Sequence, residues 1–279
     1  MGSKILLVND DGFMTLGLPL MFRVLQEVGE VIAVVPETPK SGGGHSLTLH
    51  KPIFLRELKI FDIEVHVVNG TPVDAFHAAV SILGFKPDIV FSGVNIGENT
   101  SSQNILYSGT VQAAVEAGLF GFPSVAVSAD VKTDAEFEIP EYAFMVRNVV
   151  KYVAKYVLEN GWFTCVDTLS INLPATHTPK GAVIPSRTQR LRFRQGFVRR
   201  MDPRGREYYW LVGEPVVEEG TDTHLLKEGY VTVSPLRADM SASAISCSER
   251  TSLNGLVSGI DKLVKRLGRY AGEGETQRF

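Results

Sequence analysis

Short apolar runs alternate with amphipathic stretches through the first 174 residues. Lys4–Val8 (KILLV) has no polar position after its first residue, which predicts a strand buried on both faces. Leu18–Val28 carries apolar residues at helical spacing, and Glu30–Val35 (EVIAVV) reads as a second strand closed by Pro36. Pro72–Leu83 predicts a helix with proline in its first turn, where a missing N–H costs nothing. Then come a strand in PDIVFSG (87–93), a helix in TVQAAVEAGLF (110–120), a strand in PSVAVSA (123–129), a long helix over Tyr142–Leu158 and an apolar SINLP run (170–174). Continuous Val/Ile runs separated by helices predict an α/β fold, its mostly parallel sheet flanked by helices.

The rhythm breaks twice. SLTLHKPIFLREL (46–58) and IEVHVVNG (63–70) alternate like extra strands of a hairpin insertion. Beyond Pro174 the chain turns β-rich: GAVIPS, TQRLRFRQGFVRRMD, REYYWLVG and GYVTVSPL are strand-like, Leu253–Leu267 is amphipathic, and a polar tail from Tyr270 is expected to fray. This divides the chain into a 1–174 α/β domain and a 175–279 β-rich C-terminal extension with a terminal helix.

Composition narrows the function classes. The chain has 279 residues, 44% hydrophobic, room for one large domain with a decoration or two small ones. A net charge of −3 supplies no basic footprint, so nucleic acid is not an expected partner. Cys165 and Cys247 stand far apart with no CxxC, which argues against a disulfide framework or structural zinc and for a reducing, cytoplasmic setting. The apolar run Ile5–Val8 is too short for a leader core, and nothing approaches the roughly 20 residues of a membrane span, so no membrane partner is expected.

Candidate chemistry starts where the first strand ends, in Asn9-Asp10-Asp11-Gly12. In open parallel sheets ligands bind beyond the carboxyl ends of the strands. One Asp there would read as a helix cap or turn residue; two adjacent carboxylates repel unless a cation offsets them, which favours a metal pair. A phosphorelay receiver also ends its first strand in an acidic pair. Here the acceptor position holds Ser92-Gly93 with no Asp until Asp130, so that reading fails. The same strand delivers Asn95 and Asn99, whose amides offer carbonyl oxygens to a hard cation and N–H donors to phosphate. Ser108-Gly109-Thr110 opens a helix, either an ordinary N-cap or an anion-facing terminus. Neither a Walker loop nor a GxGxxG after the first strand is present, so a dinucleotide cofactor is not expected. In the glycine-rich loop Ser41–Ser46, Ser41 offers a neutral oxygen near the acidic pair, and His45 reads equally as an exposed loop residue or a catalytic one.

Together NDDG (9–12), SGGGHSLTL (41–49), GTPVD (70–74), SGVNIGEN (92–99), YSGTVQAA (107–114), DPRGREYYW (202–210) and GTDTHLLKEGYVTVSPL (220–236) resemble the SurE family of stationary-phase survival nucleotidases, from Lys4 to about Asp239. Departures are mild: Thr15 stands where alanine is usual, and the 42–44 glycine stretch is looser. The resemblance implies a Rossmann-like domain, a β-rich part that builds homodimers or homotetramers, and a divalent-metal-dependent phosphomonoesterase acting on nucleoside 5′- and 3′-monophosphates, some members also trimming short polyphosphate. Carried over, Asp10, Asp11, Ser41 and Asn95 would hold one Mg²⁺ or Mn²⁺ per subunit, an all-oxygen set suited to those ions. Asn99, Ser108, Gly109 and Thr110 would surround the phosphate, with Asp10 or Asp11 also serving in proton transfer. No covalent nucleophile stands out, so attack by metal-activated water is expected. Two alternatives remain: a broad acid phosphatase or exopolyphosphatase using the same site, and a non-catalytic nucleotide-binding module. In Arg187–Arg206, Arg190, Arg192 and Arg194 would line one strand face, read as a solvated hairpin ahead of a basic arm for polyphosphate.

Overall fold

A computed structural model of the chain describes residues 2–240 and 250–274, with side chains of 250–252 and 268–274 left out; Cys247 and 275–279 lie outside it. In chain order the elements are β1 (Lys4–Val8), α1 (Gly17–Gln26), β2 (Glu30–Pro36), β3 (Leu55–Ile60), β4 (Ile63–Val68) and α2 (Pro72–His77), extended by a π-helical stretch at Ala78–Ile82. Next come β5 (Ile89–Ile96), α3 (Ser101–Tyr107), α4 (Gly109–Leu119), β6 (Ser124–Ala129), α5 (Pro140–Asn160) and β7 (Thr168–Leu173). The remainder is β8 (Gly181–Val183), β9 (Phe193–Met201), β10 (Glu207–Pro215), α6 (Asp222–Lys227), β11 (Tyr230–Leu236) and α7 (Arg250–Gly274).

Nine strands form one sheet in the order β3-β4-β2-β1-β5-β6-β7-β11-β8. Strands β4 through β7 of that order run parallel, while β3 is antiparallel to β4 and β11 to β7. The uninterrupted apolar run of β1 follows from this position. Ile5 and Leu7 join a core with residues of α1 and α5, whereas Leu6 and Val8 join a second core with Phe76, Ala113 and Ala117 of α2 and α4. All four are fully buried. Among the described residues no helix is long and apolar enough to cross a membrane.

The sheet, the flanking helices and a separate antiparallel β9–β10 pair agree with the expected class. Details differ. Residues 46–54 are not a strand; only Leu55 onward pairs, and the β3–β4 hairpin closes through Phe61 and Asp62, both at positive φ as a tight two-residue turn needs. That hairpin is not a separate insertion, because β4 pairs with β2. The expected break at residue 174 coincides with no gap in the sheet, since β8 and β11 beyond it are sheet strands and α7 packs on α5 and β8. The backbone stays helical past Tyr270 to Gly274.

β1 pairs with β2 on one side and β5 on the other. The chain first builds outward through β2 and β4, then returns to lay β5 on the opposite side of β1. Connections leaving β1 and β5 therefore diverge, which opens a crevice at their carboxyl ends.

Candidate active site

Asp10 and Asp11 leave β1 at this crevice. Asn9 shapes the turn by donating Nδ2–H to Gly12 O at 2.8 Å. Asp10 is buried, and its Oδ1 accepts from Thr110 Oγ1; the backbone N–H groups of Gly109 and Thr110 also point to its carboxylate. The positive end of α4 thus rests on Asp10. Gly109 makes this approach possible, because a Cβ there would stand 2.9 Å from Asp10 Cβ. Asp11 accepts at Oδ2 from Ile96 N at 3.2 Å, which ties it to the end of β5.

Electrostatically the pair is uneasy. Burial pushes the Asp10 carboxyl up despite its hydrogen bonds. Asp11 is pushed up to about 7, first by burial and then by the charge of Asp10. Neither carboxylate has an ion-pair partner among the described residues.

Asp10, Ser41, Asn95, Asn99 and Ser108 line one cavity of about 190 Å³. With Asp11, Gly109 and Thr110 bonded or packed around Asp10 and β5, the structure brings all eight candidate residues to one place. Several are committed otherwise than the sequence implied. The Thr110 hydroxyl serves Asp10, and Ser108 Oγ caps α4 by accepting from Val111 N at 3.1 Å, leaving its own O–H as a donor. Asn99 gives one amide hydrogen to Ser128 Oγ at 2.8 Å and its backbone N–H to Asn172 Oδ1 at 2.7 Å.

The donor chemistry fits a hard divalent cation. Asn95 commits Nδ2 to Gly97 O at 2.8 Å, which leaves its carbonyl oxygen as a ligand. Two uncompensated carboxylates, that amide oxygen and the Ser41 hydroxyl make an all-oxygen set.

A family model described as survival protein SurE matches residues 5–194. The chain belongs to the SurE family. It is 41% identical to a protein named 5′-nucleotidase SurE from Thermofilum pendens, over 94% of this chain and all of that one. A protein of the same name from Archaeoglobus fulgidus is 40% identical, over 86% of this chain and 93% of that one. Among solved structures, the SurE protein of Aquifex aeolicus superposes with a TM-score of 0.71 at 33% identity, covering 86% of this chain and 95% of that one.

Two further residues of this SurE chain support the site, and sequence reading passed over both. Glu98 lines the cavity, accepts from Thr100 N at 2.7 Å and pairs with Arg192 Nε at 2.5 Å, both side chains about nine-tenths buried. Arg192 therefore does not share a solvated face with Arg190 and Arg194: β9 begins only at Phe193, and Arg192 turns inward to a charge that would otherwise be buried alone. Asp222, fully buried, accepts from Ser101 N and Gln189 N at 2.8 Å each. It holds Ser101 at φ 69, a conformation uncommon outside glycine, where α3 begins. The sequence signal was the GTDTHLLK motif, whose partner lies 121 residues away.

Proposed function

We propose that this SurE protein is a divalent-metal-dependent phosphomonoesterase that hydrolyses nucleoside 5′- and 3′-monophosphates. One observation carries the reading: buried Asp10 and its half-buried neighbour Asp11, without an ion-pair partner among the described residues, stand side by side at the cavity that Asp10, Ser41, Asn95 and the amino end of α4 line. Relatives named 5′-nucleotidase SurE, 41% and 40% identical over most of the chain, support the substrate class.

Bound between Asp10, Asp11, Ser41 and Asn95, Mg²⁺ or Mn²⁺ would supply charge neutralisation for the phosphoryl group and a lowered pKa for water. The protein's own groups do the rest. Ser108 O–H and the second amide hydrogen of Asn99 donate to phosphate oxygens, and the dipole of α4 favours the charge that builds there. Thr110 fixes Asp10 in one orientation, so no reorganisation is needed as the reaction proceeds. The proton shed by the attacking water passes to a carboxylate oxygen of the pair and from there to the nucleoside oxygen that leaves as its bond to phosphorus breaks. Asp10 Oδ1 is filled by Thr110 and Asp11 Oδ2 by Ile96 N, so the less committed oxygen of either carboxylate can take the proton.

The β9–β10 arm, exposed along both strands, would join copies into a homodimer or homotetramer. The site is tested by phosphate release from 5′-AMP, 3′-AMP, GMP and an aryl phosphate with Mg²⁺, Mn²⁺ or EDTA, on wild type and Asp10→Asn. Release that needs metal and disappears in the variant supports the reading. Equal release in EDTA, or a trapped phosphoenzyme, overturns it.

A further inference from the structure

Glu116 lies within α4, outside the cavity, and is about nine-tenths buried. Its Oε2 stands 2.6 Å from His45 Nε2 and its Oε1 2.7 Å from His77 Nε2. An ionised carboxylate only accepts, so both imidazoles present Nε2–H to it. One side chain thereby ties together three segments: the glycine-rich loop, the end of α2 and the helix whose amino end holds Asp10. A carboxylate this buried is costly without donors, and two imidazole N–H groups offset that cost.

The loop is where such a tie has an effect on chemistry. Ser41 is followed by Gly42, Gly43 and Gly44, none of which can anchor by a side chain. Backbone contacts pin the loop at its ends. Lys40 N donates to Asp10 O at 2.8 Å, and Gly44 N donates to Tyr107 O at 2.9 Å, an approach a Cβ would block at 2.9 Å from Leu106 O. Beyond them, Ser46 O accepts from Thr71 Oγ1 at 2.7 Å. Between Ser41 and Ser46, among the described residues, His45 is the side chain that hydrogen-bonds into the body of the protein.

We infer that Glu116 is a positioning residue which, through His45, holds Ser41 beside Asp10 for the cation, with His77 fixing Glu116 from its other side. The inference rests on the cation-site reading above and deepens it. It assigns a role to three polar residues that touch neither phosphate nor metal. Ligand supports at this remove change metal affinity by about 10–100-fold when lost.

The test measures Mn²⁺ binding by calorimetry in the absence of substrate, hydrogen–deuterium exchange of segment 41–46, and kcat against the KM for Mn²⁺. Wild type is compared with Glu116→Gln, which can serve only one imidazole N–H, with His45→Ala on the exposed loop, and with His50→Ala as a control on an exposed histidine with no hydrogen-bond partner among the described residues. The expected result is Mn²⁺ affinity about tenfold weaker in Glu116→Gln and His45→Ala, with faster exchange over 41–46. In both, kcat at saturating Mn²⁺ stays near wild type, and His50→Ala changes nothing. If Glu116→Gln fails to fold, His45→Ala alone decides. Unchanged Mn²⁺ affinity in a folded variant, with or without a lowered melting temperature, overturns the positioning role and leaves the cation site standing. Wild type that binds no Mn²⁺ overturns the cation site, and this inference with it, before any variant is compared.

Discussion

β1 and β10 are both strands announced by apolar residues, KILLV and EYYWLVG, yet they meet opposite fates. Every residue of β1 from Ile5 to Val8 is fully buried, packed by helices on both faces of the sheet. β10 is exposed along its whole length, with Trp210 62% and Leu211 55% accessible. An apolar run demands cover, but its pattern does not say whether the cover comes from the same chain. The difference has a chemical consequence. The loop leaving β1 is held by its surroundings to fixed partners on β5 and α4, so Asp10 and Asp11 are preorganised; β10 is held by its pairing with β9, itself exposed.

The largest effect expected from breaking the β1 side is chemical. Asp10→Asn should lower phosphate release with Mn²⁺ by about a thousandfold, ~4 kcal/mol of transition-state stabilisation. It should not lower the melting temperature in EDTA, because burial disfavours the charge that the substitution removes and Asn Oδ1 still accepts from Thr110. A variant that lost activity only by unfolding would undo the claim of preorganisation. Next in size is Leu7→Ala in β1, expected to cost about 2–5 kcal/mol in urea unfolding. A cost below 1 kcal/mol would mean that the two cores do not depend on this strand.

How much of this was legible follows the same division. β1, β2, β5, β6, β7 and α5 are written as continuous Val/Ile runs or long amphipathic periods, which report burial directly. The acidic pair was readable because like charges at a strand end need a reason. α3 was not, since seven residues (SSQNILY) show no period and their start is fixed by Asp222 from the far side of the chain. The 46–54 alternation looked like a strand, yet Thr48 bonds Asp74 through its backbone N–H and its hydroxyl, and the segment wraps α2 as a loop. Arg192 looked like its neighbours Arg190 and Arg194 because the partner that draws it inward, Glu98, is 94 residues earlier. Thr110 read as a phosphate donor because its bond to Asp10 spans 100 residues. Local pattern carried the scaffold and gathered the site residues; the commitments among them are long-range.

A smaller effect separates the uncompensated acids from the rest of the fold by pH. Asp11 is pushed from its ordinary 3.8 to about 7, so its contribution to stability is complete below 3.8 and is lost as pH rises through about 7. Asp10 is shifted in the same direction. Cation binding must displace those protons, so stabilisation by Mn²⁺ grows over the same window. The rise in melting temperature on adding Mn²⁺ should be about 2–4 °C greater at pH 8 than at pH 5.5, on the order of 1 kcal/mol for a chain of this size. An equal rise at both pH values would remove Asp10 and Asp11 from the cation site.

The smallest effect on the subunit belongs to the arm, and it sharpens the comparison most. Trp210 pairs across the hairpin with Val198, and Phe197, 70% accessible, faces Leu211. A two-stranded ribbon with aromatic residues on both faces is marginal alone in water. Contacts this open add little to the stability of one subunit, so Trp210→Ser with Phe197→Ser should change urea unfolding of the subunit by no more than about 0.5 kcal/mol. The same pair of changes should shift sedimentation to a smaller species, as the proposed joining of copies through the arm requires. If particle size stays the same, the arm is not the contact between copies. If subunit stability instead falls by as much as in Leu7→Ala, β10 is as much part of the core as β1, and the contrast between the two strands fails.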